Sequence, residues 1–321
     1  MKGTCGLRQQ TVKAGYVRTV QRSAAAGYAM VAVAATLFAV NGSVAKVIEH
    51  TGFGAQRLTE VRSTGAFAGL GLIVLATRRH ALAITRRQLV LVAALGIGGL
   101  AIVQWSYFYA IHRLPIGEAL LIQFVAPLIV ALWARFAFHE PVRRRLWVAL
   151  VLSLSGLVLI VELWRGKVDG LGIASAGVAC LSFSFYLLLA ERGTRGRDPI
   201  SLLAWAFLFA ALFWAVLEPW WSFPGHVFGG STSLLGHLSS FHTPLWLLVA
   251  WMIVLGSIVP FALVVAALPR IGATRTAIVA MLEPVVAILV AWAWLGESLD
   301  GVQLGGAALT LAGIALAQTA R

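Results

Sequence analysis

Ten stretches of this chain are each about 20 residues long, apolar and nearly free of charge, and that leaves one solvent in which the chain can fold. A helix needs about 20 mostly apolar residues to cross the roughly 30 Å hydrocarbon layer of a bilayer. The stretches are Ala25–Lys46, Gln56–Thr77, Gln88–Ile111, Ile116–Phe138, Leu146–Leu163, Leu171–Ala190, Ile200–Glu218, Pro244–Leu268, Ala273–Leu295 and Val302–Gln318. Charged residues make up only 12% of the 321 positions, against about a quarter in ordinary soluble domains. So much apolar surface exceeds what one soluble core can bury. The expected fold is an all-α integral membrane protein of ten helices.

The net charge of +13 would suggest nucleic acid in a soluble protein. Here the basic residues sit in short clusters between apolar runs, so membrane topology explains them and no nucleic-acid partner is expected. With the N-terminus cytoplasmic, 18 of the 25 Lys and Arg residues fall on inner segments and five on outer ones, namely Lys46, Arg57, Arg113, Arg165 and Lys167. Both termini are therefore expected inside a cell membrane, which requires an even number of spans. Residues 1–24 are expected to form a disordered basic cytoplasmic tail. The longest loop, 219–243, carries no Lys or Arg and is expected outside, with a short interfacial helix over Ser231–Phe241. Its His226, His237 and His242 lack acidic or Cys partners, so no metal site is expected. Cys5 and Cys180 form no ligand or disulfide pattern.

The chain repeats itself. A shift of 157 residues lays Ala110 on Ala267, Arg113 on Arg270, Pro127 on Pro284, Leu132 on Leu289, Ala134 on Ala291, Glu140 on Glu297 and Gly156 on Gly313. Residues 25–163 and 171–318 are thus two repeats of five spans. Five is odd, so the halves enter the membrane in opposite senses. Inverted repeats of this kind are characteristic of secondary transporters, whose two similar halves exchange conformations around a central site.

A few polar residues stand inside the apolar runs. Glu283 lies about 11 residues into the ninth span, near the bilayer midplane, and its repeat counterpart is Ala126. A carboxyl there is costly and marks a site for substrate or a coupling proton; it can also serve to fix a helix break. Pro127 and Pro284 release the carbonyls of Gln123 and Ala280, which must then face protein or a polar cavity. Gln123 is a substrate hydrogen-bonding candidate, while Glu118 nearby reads as a rim residue. Asn41 either bonds across helices or lines the cavity. Trp105, Tyr107 and Tyr109 either wall a cavity, face lipid or pack within the bundle. Glu60 and Arg62 stand too close in sequence to share a helix face. Lys46 at the end of span one can reach Glu60, giving either an outer gate or a static ion pair.

Two further patterns carry a resemblance. One is Met281-Leu282-Glu283-Pro284-Val285-Val286-Ala287 followed by Gly296-Glu297-Ser298-Leu299 and the glycines from 305 to 313. The other is the stretch from Phe38 through Asn41 to Lys46, with Arg62 in the next span. Together with the weaker Ala126-Pro127, His139-Glu140 and Gly156 of the first half, these resemble the EamA-type ten-span members of the drug/metabolite transporter superfamily. Phe38, Ala39 and His139 depart from that family's usual residues. The resemblance implies a secondary transporter, with proton-coupled export of small polar or amphipathic metabolites such as amino acids as the leading expectation. Uptake or exchange of the nucleotide-sugar antiport kind is the alternative, followed by a membrane enzyme or assembly partner. No Walker A, HExxH, CxxC or GxSxG constellation occurs, so no enzyme activity and no cofactor are expected. The expected partners are a small-molecule substrate, protons and the lipid bilayer, with the chain a monomer or homodimer.

Overall fold

The computed structural model describes residues 4–114, 116–137, 143–161, 169–222, 225, 229–296 and 298–319, and the side chains of these outside 4–23, 55 and 116–118. The side chain of Glu118, and residues His139, Glu140, Arg165, Lys167, His226 and Glu297, lie outside that description. Among the described residues, nine helices are long and apolar enough to cross a membrane, and Leu282–Leu295 is a shorter apolar helix. The longest of the nine, Leu245–Ala280, is divided at Gly272, whose φ of 77° and ψ of 164° are not helical. A positive φ of that size is open to glycine and strained for other residues. The helices therefore resolve into ten spans. Spans 1 to 7 are Ala24–Glu49, Gln56–Thr77, Arg86–Ile111, Ala119–Phe136, Arg144–Val161, Gly170–Thr194 and Pro199–Leu217. Span 8 covers 245–271, span 9 covers 273–295, and span 10 is Gly301–Thr319. The backbone helix of span 1 extends back to Thr4, where the sequence predicts a disordered tail; no proline interrupts residues 4–24.

The packing is symmetric under exchange of the halves. Span 2 packs on span 7 and span 5 on span 10, each pair being its own counterpart. Span 1 packs on spans 8 and 9, as span 6 packs on spans 3 and 4. The contact between spans 5 and 10 shows the relation at atomic detail. Ser153 Oγ donates to the carbonyl of Thr310 (3.5 Å) and Thr310 Oγ1 donates to the carbonyl of Ser153 (3.4 Å). These residues are 157 apart, the repeat offset, so equivalent residues bond reciprocally, as they must beside a two-fold axis. Small residues let the two backbones meet there. A Cβ on Gly156 would stand 2.5 Å from the Gly306 carbonyl, and one on Gly313 would stand 2.7 Å from the Ala149 carbonyl.

Irregular backbone recurs at equivalent places. π-Helical turns interrupt span 3 at Leu95–Ala101 and span 8 at Val254–Ile258; the offset carries Gly99 onto Gly256. Span 4 breaks at Phe124 and Val125, just ahead of Pro127, and span 9 breaks at Met281, just ahead of Pro284. The outer faces carry large apolar side chains such as Leu72, Phe136, Val151 and Val216, as lipid contact requires. The 219–243 loop holds a β-hairpin, Ser231–Ser233 against His242–Pro244, and not the expected interfacial helix. Leu235 and Gly236 both have positive φ, which interrupts a regular α-helix, and the helical part of this stretch is one 3-10 turn, Gly236–Leu238. The hairpin is tied to the end of span 9, where Trp294 Nε1 donates to the Leu234 carbonyl at 2.8 Å.

Candidate functional site

A cavity of about 640 Å³ lies between the halves. Its walls come from spans 1 to 6, 8, 9 and the start of 10, and it reaches the end of the bundle opposite the N-terminus, where Lys46, Glu49, Leu114, Leu295 and Ser298 line it. Of the residues singled out in the sequence, Asn41, Lys46, Arg62, Gln123, Glu283 and Pro284 all line this one cavity. Glu283 stands on the first turn after the span 9 break. Among the described residues it forms no ion pair. Gln123 and Ala280, whose carbonyls the two prolines release, both line the cavity, so the irregular backbone sits where polar surroundings are available to it.

Span 8 holds the most elaborate polar cluster. Its π-turn brings Gly256 against span 1, where a Cβ would come within 2.7 Å of Asn41 Cγ. Arg62 reaches across from span 2: NH2 donates to the Gly256 carbonyl (2.9 Å) and Nε donates to Ser257 Oγ (3.0 Å). Ser257 Oγ donates in turn to the Met252 carbonyl (3.1 Å), and the guanidinium lies 5.9 Å from the centre of the Phe108 ring. Asn41 Oδ1 and Gln123 Oε1 are buried and have no hydrogen-bond partner among the described residues, which leaves acceptors for a ligand or for water.

Four residues fall elsewhere. Trp105 and Tyr109 do not line the cavity; their rings pair at 5.9 Å on the far face of span 3, with Arg113 stacked on Tyr109. They are one helical turn apart and share that face; of the three span 3 aromatics singled out in the sequence only Tyr107 lines the cavity, beside Gln104 and Phe108. Pro127 is buried but outside the lining. Glu60 takes Arg57 as its partner (2.8 Å), and Arg57 also binds Glu218 (3.1 Å). That network ties span 2 to the end of span 7 and stands outside the cavity, whereas Lys46 lines it. Sequence reasoning missed Glu49, Phe183, Tyr186 and Phe261, all in the wall. One signal was present: a shift of 145 lays Phe38 on Phe183 and Asn41 on Tyr186, and all four line the cavity. Among the described residues no group of His, Cys, Asp and Glu is arranged to hold a metal.

Two inverted five-helix halves around a cavity walled by isolated polar groups define a class, the multi-pass membrane transporter. The EamA-like transporter family model matches residues 25–162 and 170–319, and the chain belongs to that family. It is a transporter and not an enzyme. The threonine/homoserine exporter RhtA of Salmonella typhimurium is 29% identical over 65% of this chain, which spans 64% of that relative's length. The inner membrane transporter YicL of Salmonella typhimurium is 26% identical over 90% of this chain and 94% of its own. Protein PecM of Dickeya dadantii is 24% identical over 72% of this chain and 73% of its own. One solved crystal structure, 21% identical, superposes with a TM-score of 0.71 over 92% of this chain and 96% of that one, and so shares the fold.

Proposed function

We propose that this transporter exports small polar or amphipathic metabolites such as amino acids by alternating access, driven by the proton gradient across the plasma membrane. The observation that carries this reading is Glu283: an acid at the midplane, in the cavity wall, beside a proline-induced break and present in one half only. An acid so placed can take a proton from one side and deliver it to the other as the halves rock. The basic asymmetry of the loops favours cytoplasmic termini. In that orientation the cavity reaches the outer face, and this conformation is the outward-open one. The names of the exporter relatives support amino acids as the substrate class.

The test is flux in proteoliposomes with radiolabelled threonine and an imposed pH gradient. Glu283→Gln keeps the shape and removes the acid. The variant is expected to fold, to lose gradient-driven accumulation down to the level of empty liposomes, and to retain substrate counterflow without a gradient. Normal accumulation by the Gln variant would remove the proton role and leave Glu283 as a structural residue at the helix break.

A further inference from the structure

Arg62 is buried, 4% exposed, and among the described residues it forms no ion pair with any carboxylate. Its guanidinium stays charged at any pH the protein meets. A buried charge without a counter-charge is costly, and the Gly256 carbonyl and Ser257 hydroxyl neutralise N–H groups, not the charge. Those two bonds also occupy Nε and one N–H of NH2. The hydrogen bonds of Arg62 among the described residues use Nε and NH2 only, which leaves NH1 unused, and Arg62 lines the cavity. The π-turn of span 8 and the Phe108 ring hold the group in place. The result is a fixed cation with an unused donor edge at the substrate cavity.

From this geometry we infer that Arg62 is the receptor for the carboxylate of the transported molecule, whose apolar body lies against Phe38, Tyr107, Phe183, Tyr186 and Phe261. The planar edge of a guanidinium matches the two oxygens of a carboxylate. One edge on one arginine suits a monoanion. These five aromatic side chains, all lining the cavity, call for a molecule with an apolar part and disfavour inorganic anions. The inference rests on reading the cavity as the substrate site, and it deepens that reading by naming the group that selects the substrate.

The experiment is binding to the purified full chain in nanodiscs, using threonine, leucine and phenylalanine, each beside its amide. Acid and amide share shape and ammonium group and differ at the carboxylate. A charge-assisted hydrogen-bonded contact predicts an affinity for the best acid about ten- to a hundredfold above that of its amide. Arg62→Gln is expected to collapse that ratio toward one, chiefly by weakening the acid. Arg62→Lys retains a cation in the same buried place, serves if the Gln variant does not fold, and is expected to give an intermediate ratio because the fork is lost. Inorganic phosphate is expected not to displace the bound acid at equal concentration. Equal binding of acid and amide by the unmodified protein, binding of neither, a ratio unchanged in the variants, or displacement by phosphate would each overturn the assignment. Flux in proteoliposomes separates this from the transport reading: tight, Arg62-dependent binding without flux sinks the exporter proposal and upholds the receptor.

Discussion

Replacing Gly156 or Gly313 by alanine tests the inverted relation of the halves at its tightest point. A Cβ on Gly156 would stand 2.5 Å from the Gly306 carbonyl and 2.6 Å from the Thr310 nitrogen, where ordinary contact begins at 3.4 Å. The Thr310 hydroxyl also lies in the way, but the Gly306 oxygen and Thr310 nitrogen are backbone atoms, which no rotamer change can move aside, so spans 5 and 10 must separate by about 0.9 Å, the difference between 2.5 and 3.4 Å. Such overpacking costs about 1–3 kcal/mol. The separation also lengthens the Ser153–Thr310 bonds, already 3.4–3.5 Å, and interhelical bonds in membranes contribute about 0.6 kcal/mol on average. Gly313→Ala requires about 0.7 Å by the same comparison with the Ala149 carbonyl at 2.7 Å. Because the two glycines are equivalent, one displacement of the helix pair relieves both. The double variant must therefore lose less than the sum of the singles, by a coupling of about 0.5–3 kcal/mol.

The assay is reversible unfolding in detergent micelles on titration with sodium dodecyl sulfate, followed by the fluorescence of the 12 tryptophans. Gly177→Ala is the control, since a Cβ there meets nothing within 4 Å; it should be neutral, or stabilising by up to about 1 kcal/mol. Strict additivity at 156 and 313, or a cost at 156 no larger than at 177, would refute the symmetric contact.

Two shorter predictions follow from the surface. Asp169 caps span 6 through a 2.7 Å bond from the Gly172 nitrogen, and that bond, with help from Arg113, holds its carboxyl below the ordinary 3.8. A depressed folded value means that the stabilisation is complete above the unfolded value and is lost as pH falls through the folded one. Asp169→Ala should therefore unfold more readily than the unmodified protein at pH 7, with the difference vanishing below the usual aspartate range; a gap independent of pH would count against the ionised cap. In cells, a cysteine at Gly230 should react with an impermeant thiol reagent added outside while one at Gly196 should not, and the opposite pattern would invert the topology.

The spans were legible because lipid imposes a simple rule, a long apolar run, and the repeat was legible because Pro and Gly at a fixed offset are rare by chance. Gly272 shows where that rule blurs. Spans 8 and 9 are nearly continuous as helix, and one glycine dihedral separates them. The interior polar residues were legible for the same reason as the spans: Asn41, Arg62, Gln123 and Glu283 stand out from apolar neighbours, and all four line the cavity. Aromatic residues carry no such contrast. Trp105 and Tyr107 are two positions apart on one helix, and the turn of that helix alone sends one outward and the other to the wall. The π-turn that seats Arg62 was not legible either, since Val254–Ile258 reads as ordinary membrane helix.

The two halves agree where they carry the fold and differ where they meet the cavity. Ser153 answers Thr310, Gly156 answers Gly313, Gly99 answers Gly256, and both prolines follow equivalent breaks. At the wall the correspondence ends: Ala126 answers Glu283. The alternating access proposed above would need halves of similar stability, so that neither state is a trap and a small difference in ligand contacts can shift the population. Its binding site has the opposite requirement. A carboxylate receptor or a proton acceptor duplicated by symmetry would present like charges to each other across a narrow cavity, at a cost that neither substrate nor proton could offset in both states. Breaking the symmetry at single side chains, on a backbone that keeps it, meets both requirements, and under the proposed roles it accounts for the placing of Glu283 and Arg62 in only one half each.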